Sequence, residues 1–372
     1  MGREFERALE HLLSPEEHIS LAMLYHFSAM NEEEQRRFAA VWSRVRVTKR
    51  RRAIRMMAEL AEDDVYADFT AVFRFALEDE DADVRSVAID GLWEDESVSL
   101  VPRLLHLLQS DPSEAVQARA AAALGRFVLA GELGHWSPMR THKVVEALIH
   151  VISDGSLSTE LRRRAVESVA YSSDARVRGI IARAYRDVNR KMRVSAIFAM
   201  GRSADPHWYE IVEQEMESDD PEMRYEAARA AGELGDKRAV DQLIALLDDP
   251  DPEVREVAIW SLGEIGGQRA RRALKALLNH RDPGVVEAAQ EALAVSRLNE
   301  GIFDPISFVD LSFDLDHVGV VIDTSWDEAV LFPEELYNFH VMQPEGDEDD
   351  EDQEWEWQEG YGDAYDEAYE ED

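Results

Sequence analysis

Apolar residues in the middle of the chain recur in a fixed three-step stripe. Val84, Val116, Leu161, Met192, Met223, Val254 and Val285 each stand four residues before an alanine: Ala88, Ala120, Ala165, Ala196, Ala227, Ala258 and Ala289. Eight residues after each anchor comes Leu92, Leu124, Val169, Met200, Ala231, Leu262 or Leu293. Positions i, i+4 and i+8 share one face of an α-helix, and a small residue at the centre lets a neighbouring helix come close. Three residues before each anchor stands Asp81, Ser113, Ser158, Asn189, Asp220, Asp251 or Asp282, whose side-chain oxygen suits a helix N-cap. Pro221, Pro252 and Pro283 then fill the first helical position. Gly201, Gly232 and Gly263, with Gly235 and Gly266, are expected to end helices and form tight turns. A second stripe, Ile181, Val212, Leu243 and Leu274 followed by Tyr185, Met216, Leu247 and Leu278, predicts a partner helix in each unit.

The last four steps between anchors are 31 residues each, the first is 32 and the second 45. A helix pair repeated at such a period buries its apolar face only by stacking on the next pair, so the pattern predicts a repeat array. Two copies carry the motif most fully: Asp251-Pro252-Glu253-Val254-Arg255 with Ala258 and Leu262–Gly266, and Asp220-Pro221-Glu222-Met223-Arg224 with Ala227 and Gly232–Gly235. These residues resemble the short HEAT repeats of the PBS-lyase type. The resemblance implies an all-α fold, a HEAT-repeat α-α superhelix (solenoid) whose cap-started helices line the concave wall. It also implies that the arginine after the anchor (Arg85, Arg162, Arg193, Arg224, Arg255) pairs with a cap-turn aspartate of a neighbouring unit, in keeping with the bidentate geometry of guanidinium and carboxylate.

Four regions are expected. Residues 1–75 read as an N-terminal helical capping region, 76–298 as the repeat array, 299–343 as a docked, partly extended extension and 344–372 as a disordered acidic tail. The 45-residue step inserts 14 residues between Leu129 and Lys143, expected as a packed loop with Trp136 covering the groove floor, or else as a contact site. The charge divides sharply. From Leu298 to Asp372 there are 26 acidic residues and no basic one, whereas residues 1–297 carry 52 acidic and 40 basic, a net of −12. Within the tail, Trp357, Tyr361, Tyr365 and Tyr369 recur every four residues, which suits either a peptide that folds on binding or an inert solubilising tail. The basic run Arg44–Arg55 is a candidate dock for an acidic partner or for that tail, or else a solvated helix face balancing Glu32, Glu33 and Glu34.

Candidate chemistry is sparse. There is no cysteine, which removes disulfides and thiolate metal sites and suits a reducing compartment. Met1–Glu17 has no apolar core of a secretory signal, and no apolar run is long enough to span a bilayer, so a cytoplasmic protein without a membrane partner is expected. No nucleophile elbow, P-loop or dinucleotide fingerprint is present, no catalytic residue, metal or cofactor is expected, and no His-Glu dipeptide of the deoxyhypusine-hydroxylase kind occurs. The net-negative body makes nucleic acid a poor partner. What remains is the inner wall. Six residues after the anchor stand Phe198, Arg229 and Trp260 in three successive units, with Arg163 and Tyr225 at the position two after it. Aromatics with arginine are the usual anchors of protein interfaces. The favoured expectation is a non-enzymatic protein–protein scaffold or adaptor that grips a protein segment there. The alternatives are a lyase-like or chaperone-like accessory handling a cofactor, or a nucleic-acid binder held off by its own tail.

Overall fold

In the computed structural model the chain divides into two units, Met1–Pro305 and Ile306–Asp372. The structure describes residues 2–16 and 18–299, all in the first unit. The expected extension over 299–343, but for Asn299 at the end of the last helix, and the tail with Trp357, Tyr361, Tyr365 and Tyr369 lie outside the described residues.

The described residues are helical throughout and contain no strand: α1 (Arg3–Leu13), α2 (Leu21–Leu24), α3 (Glu32–Trp42), α4 (Val47–Asp63), α5 (Thr70–Ala76), α6 (Ala82–Gly91), α7 (Val101–Ser110), α8 (Glu114–Glu132), α9 (Pro138–Ser153), α10 (Thr159–Val169), α11 (Arg176–Tyr185), α12 (Arg190–Arg202), α13 (Tyr209–Glu215), α14 (Pro221–Leu234), α15 (Val240–Leu246), α16 (Pro252–Ile265), α17 (Gly267–Leu277) and α18 (Pro283–Asn299). From α4 onward the even-numbered helices stack each on the next in one row. The odd-numbered helices pack onto that row and touch one another only sparsely. All seven central alanines are fully buried in the stacked row. Six of the seven predicted caps accept a backbone N–H with their side chains, for example Asp251 from Glu253 at 2.9 Å and Asn189 from Lys191 at 2.9 Å. Ser113 alone makes no such bond.

Two of these expectations need correction. Gly201, Gly232 and Gly263 do not end helices; they lie inside α12, α14 and α16, where the next helix comes into backbone contact. Gly235 and Gly266, at positive φ of 66° and 64°, are the glycines that stop α14 and α16. The 14-residue insertion is not a long loop, because it lengthens α8 to 19 residues and α9 to 16. Residues 133–137 alone are left between them, and Trp136 Nε1 donates to the carbonyl of Phe127 at 2.9 Å.

The arginine ladder is structural, but its partners differ by unit. Arg85 makes a bidentate bond to Asp111 (2.7 and 2.8 Å) and Arg224 one to Asp249 (2.8 and 2.9 Å). Arg193 and Arg255 instead donate to backbone carbonyls of their own cap turns, and Arg162 donates to the carbonyl of Ile152 in the last turn of α9. Two residues before the next cap stand Asp111 and Asp249 for the two paired arginines, but Ser218 and His280 after Arg193 and Arg255; after Arg162 that position holds Asp187, with which that arginine does not pair.

The same ladder reaches into the expected capping region. Arg50 is buried, donates to Val45 O at 2.8 Å and meets Asp79 at 3.1 Å. Ala53 and Met57 beside it are fully buried. Helix α4 is therefore a further member of the stacked row, with Lys49 at the anchor position. Its ammonium is buried and donates to His11 O (2.6 Å), Ser14 O (3.2 Å) and Ser14 Oγ (3.1 Å). Arg51 binds Asp81 through two bonds of 2.6 and 2.8 Å. Within the Arg44–Arg55 run, then, Lys49, Arg50 and Arg51 hold the array together rather than forming a purely solvated face.

Candidate functional site

Stacking sets the register of the groove-bearing face of the row. Every even helix starts at its cap, so side chains two, six and ten residues after the anchor fall in columns across successive units. Between α8 and α16 these columns enclose an open groove of about 950 Å³. Helix α16 lines it with Glu253, Glu256, Trp260 and Glu264, and α14 with Tyr225, Arg229 and Glu233. Arg202 at the end of α12, Tyr171 beyond α10 and Leu129 on α8 complete it.

The sequence-predicted residues divide within this geometry. Tyr225, Arg229 and Trp260 share the groove, and Trp260 is 41% exposed. Phe198 does not line it; its half-buried ring lies beneath the guanidinium of Arg229, 4.1 Å from ring centre, with Arg202 at 5.2 Å. Arg163 is elsewhere and occupied. It binds Glu160 at 2.5 and 2.8 Å and Glu167 at 3.1 Å, and Glu167 also accepts from Ser195 Oγ at 2.5 Å. The reading of the sequence missed Tyr171, Arg202, Glu233 and Glu264. All stand ten residues after their anchors, one turn beyond the column that was recognised, so extending that column by four positions finds them.

Charge inside the groove is frustrated. Arg229 Nε lies 3.2 Å from Glu226 Oε2 and 3.7 Å from Glu233 Oε1, and Arg202 Nε lies 3.3 Å from the latter. These are charge contacts without hydrogen-bond alignment: Arg229 Nε and Nη2, Glu226 Oε2 and Glu233 Oε2 find no hydrogen-bond partner among the described residues. Burial pushes the Glu226 carboxyl up to about 7, helped by Glu167, Glu233 and Glu222 and opposed by Arg229. Burial raises Glu233 as well, against the pull of Arg229 and Arg202.

A pH dependence follows. The unfolded chain releases the Glu226 proton near 4.5 while the folded chain keeps it to about 7. The favourable contribution is therefore complete below the lower value and is lost as pH rises to the upper one. Glu226→Gln, which stays neutral, is expected to be more stable than the parent at pH 8 by on the order of 1–3 kcal/mol and nearly equal to it at pH 4. Urea unfolding of both proteins across that range tests this, and parallel stability–pH curves would count against it.

Residues 70–156 and 209–294 match the family model for HEAT repeats. These two regions are HEAT repeats. Among solved structures it is similar to YibA of E. coli, over 76% of this chain and 99% of that one, with 18% identity and a TM-score of 0.41. Importin beta is similar over 79% of this chain and 46% of its own, with 15% identity and a TM-score of 0.40. Human deoxyhypusine hydroxylase, in complex with glycerol, is similar over 80% of this chain and 96% of its own, with 18% identity and a TM-score of 0.32. No curated protein matches the chain. Among the described residues no helix is long and apolar enough to cross a membrane, and no group of three or more His, Asp or Glu is placed to hold a metal ion.

Proposed function

We propose that the protein is a non-enzymatic scaffold that holds a segment of another protein in the groove at Tyr225, Arg229 and Trp260. One observation carries the reading: an open groove of about 950 Å³ on the stacked row is walled by an exposed indole and by an arginine held over the ring of Phe198. Phe198 fixes that guanidinium from below by cation–π attraction, so little side-chain freedom remains to be lost on binding. An exposed aromatic beside a pre-ordered arginine is what a central interface anchor requires. The acidic lining gives no comparable support to a nucleic-acid ligand, whose phosphates it repels.

The double substitution Arg229→Ala/Trp260→Ala tests the reading. Partner proteins captured from native lysate by the parent are expected to fall about tenfold or more with the double variant, since two anchors together contribute roughly 2 kcal/mol or more. Far-UV circular dichroism should be unchanged. Capture at parental levels by a folded double variant would reject the groove as the binding surface.

A further inference from the structure

We propose that the segment this groove takes is cationic, a lysine- or arginine-bearing stretch of a different protein laid along α16. The inference rests on the groove being the binding surface and concerns only what that surface selects. Its basis is the stripe Glu253, Glu256, Trp260 and Glu264, spaced so that one helix face presents three carboxylates around one half-exposed indole.

The two arginines of the groove do not compensate that stripe. Arg229 is matched by Glu226 and Glu233, and Arg202 by Glu233, all on α14. Among the described residues no lysine or arginine forms an ion pair with Glu253, Glu256 or Glu264. The α16 wall is thus net negative, and it borders carboxyls already pushed up by burial among like charges.

Three kinds of occupant can be compared on physical grounds. An apolar segment would strip water from carboxylates and return no hydrogen bond, which is costly. An acidic segment would meet like charge. This disfavours residues 298–372 of the chain itself, which hold 26 acidic residues and no basic one. A basic segment satisfies both features at once, with its cation over the indole face and its N–H donors on the flanking carboxylates. Long-range attraction from the acidic body would also speed its approach.

Synthetic peptides provide the test: about twelve residues each, one alternating lysine and arginine with glycine, one with glutamate in place of the basic residues, and one with serine. Binding to the full chain is read by fluorescence anisotropy. The parent should bind the basic peptide saturably, at least about tenfold more tightly than the other two, and lose affinity as salt is raised. Glu253→Gln/Glu256→Gln/Glu264→Gln should weaken it about tenfold. The control Glu59→Gln/Glu62→Gln/Glu210→Gln, which removes equal charge from exposed sites away from the groove, should change it by less than about twofold. Trp260→Ala should also weaken it about tenfold. No saturable binding of the basic peptide, or equal binding by the groove and control triple variants, overturns the proposal. If Trp260→Ala then still weakens the serine peptide, the groove remains a binding surface and only its preference for cations falls. If neither change affects any peptide, both readings fall.

Discussion

Asp111→Ala is expected to destabilise the array by about 3–5 kcal/mol, the range for breaking one side of a buried ion pair. Arg85 and Asp111 are both buried, and two parallel bonds of 2.7 and 2.8 Å join them. Asp111 also accepts the N–H of Ser113 at 2.8 Å, so one carboxylate serves both the ladder and the start of α8. Without it the guanidinium keeps only the carbonyl of Asp79, at 2.7 Å, in a place water does not reach. The pair joins α6 to the turn before α8, and each unit of an array leans on its neighbours alone. The loss should therefore fall on one interface, and denaturant unfolding should separate into two transitions, the N-terminal units melting first. Arg85→Met/Asp111→Leu should recover most of the lost stability, because the cost lies in the stranded charge more than in the missing bond. A single transition displaced by under about 1 kcal/mol in Asp111→Ala would refute this account of the ladder.

The period was legible because the stacked row admits few residue types at its centre. Where Ala88 through Ala289 sit, a larger side chain would hold two helices apart, and the polar caps recur because every unit must start again at the same height. What escaped notice broke one of those rules locally. Helix α4 belongs to the row, yet its anchor is Lys49 and its start is Arg46, neither of which shows in a search for apolar anchors and oxygen-bearing caps. Its lysine is tolerated because carbonyls of the α1 end accept the ammonium, a partner no sequence window displays. The 45-residue step suggested a loop after Leu129. Gly131 instead lies within α8 against the side chain of Thr141, and only Gly134, at φ +78°, turns the chain. At the groove, the column of Phe198, Arg229 and Trp260 was readable from register. That Phe198 lies under Arg229 while Tyr225 and Trp260 line open space depends on side-chain packing between units, which register alone does not fix.

The glycines inside the stacked helices lead to a prediction whose sign is opposite to the ordinary rule. A glycine in a helix normally gains about 1 kcal/mol on becoming alanine. Gly232 should not. A Cβ there would stand 2.9 Å from the Cα of Ser261 and 2.8 Å from its Oγ, and that hydroxyl is fixed by donating to Ala228 O at 2.8 Å. Gly201 faces the Cα of Ala230 at 2.8 Å, and Gly263 the Cα and carbonyl oxygen of Ala292 at 2.8 Å, so consecutive units repeat the same closeness. Because the obstacle is backbone, relief requires α14 and α16 to separate. Gly232→Ala is expected to destabilise by about 1–3 kcal/mol and Gly232→Val by about 3 kcal/mol or more. Gly155→Ala, at a site with nothing within 4 Å, serves as the control and should stay within about 0.5 kcal/mol. Separation of these two helices would also move Trp260 away from Arg229, since Gly232 lines the groove between them. Gly232→Ala should therefore weaken groove binding at temperatures where the variant is still folded. Thermal unfolding in which Gly232→Ala gains stability would show that the helices have room to spare, and that the stacking of α14 on α16 does not depend on backbone contact at this column.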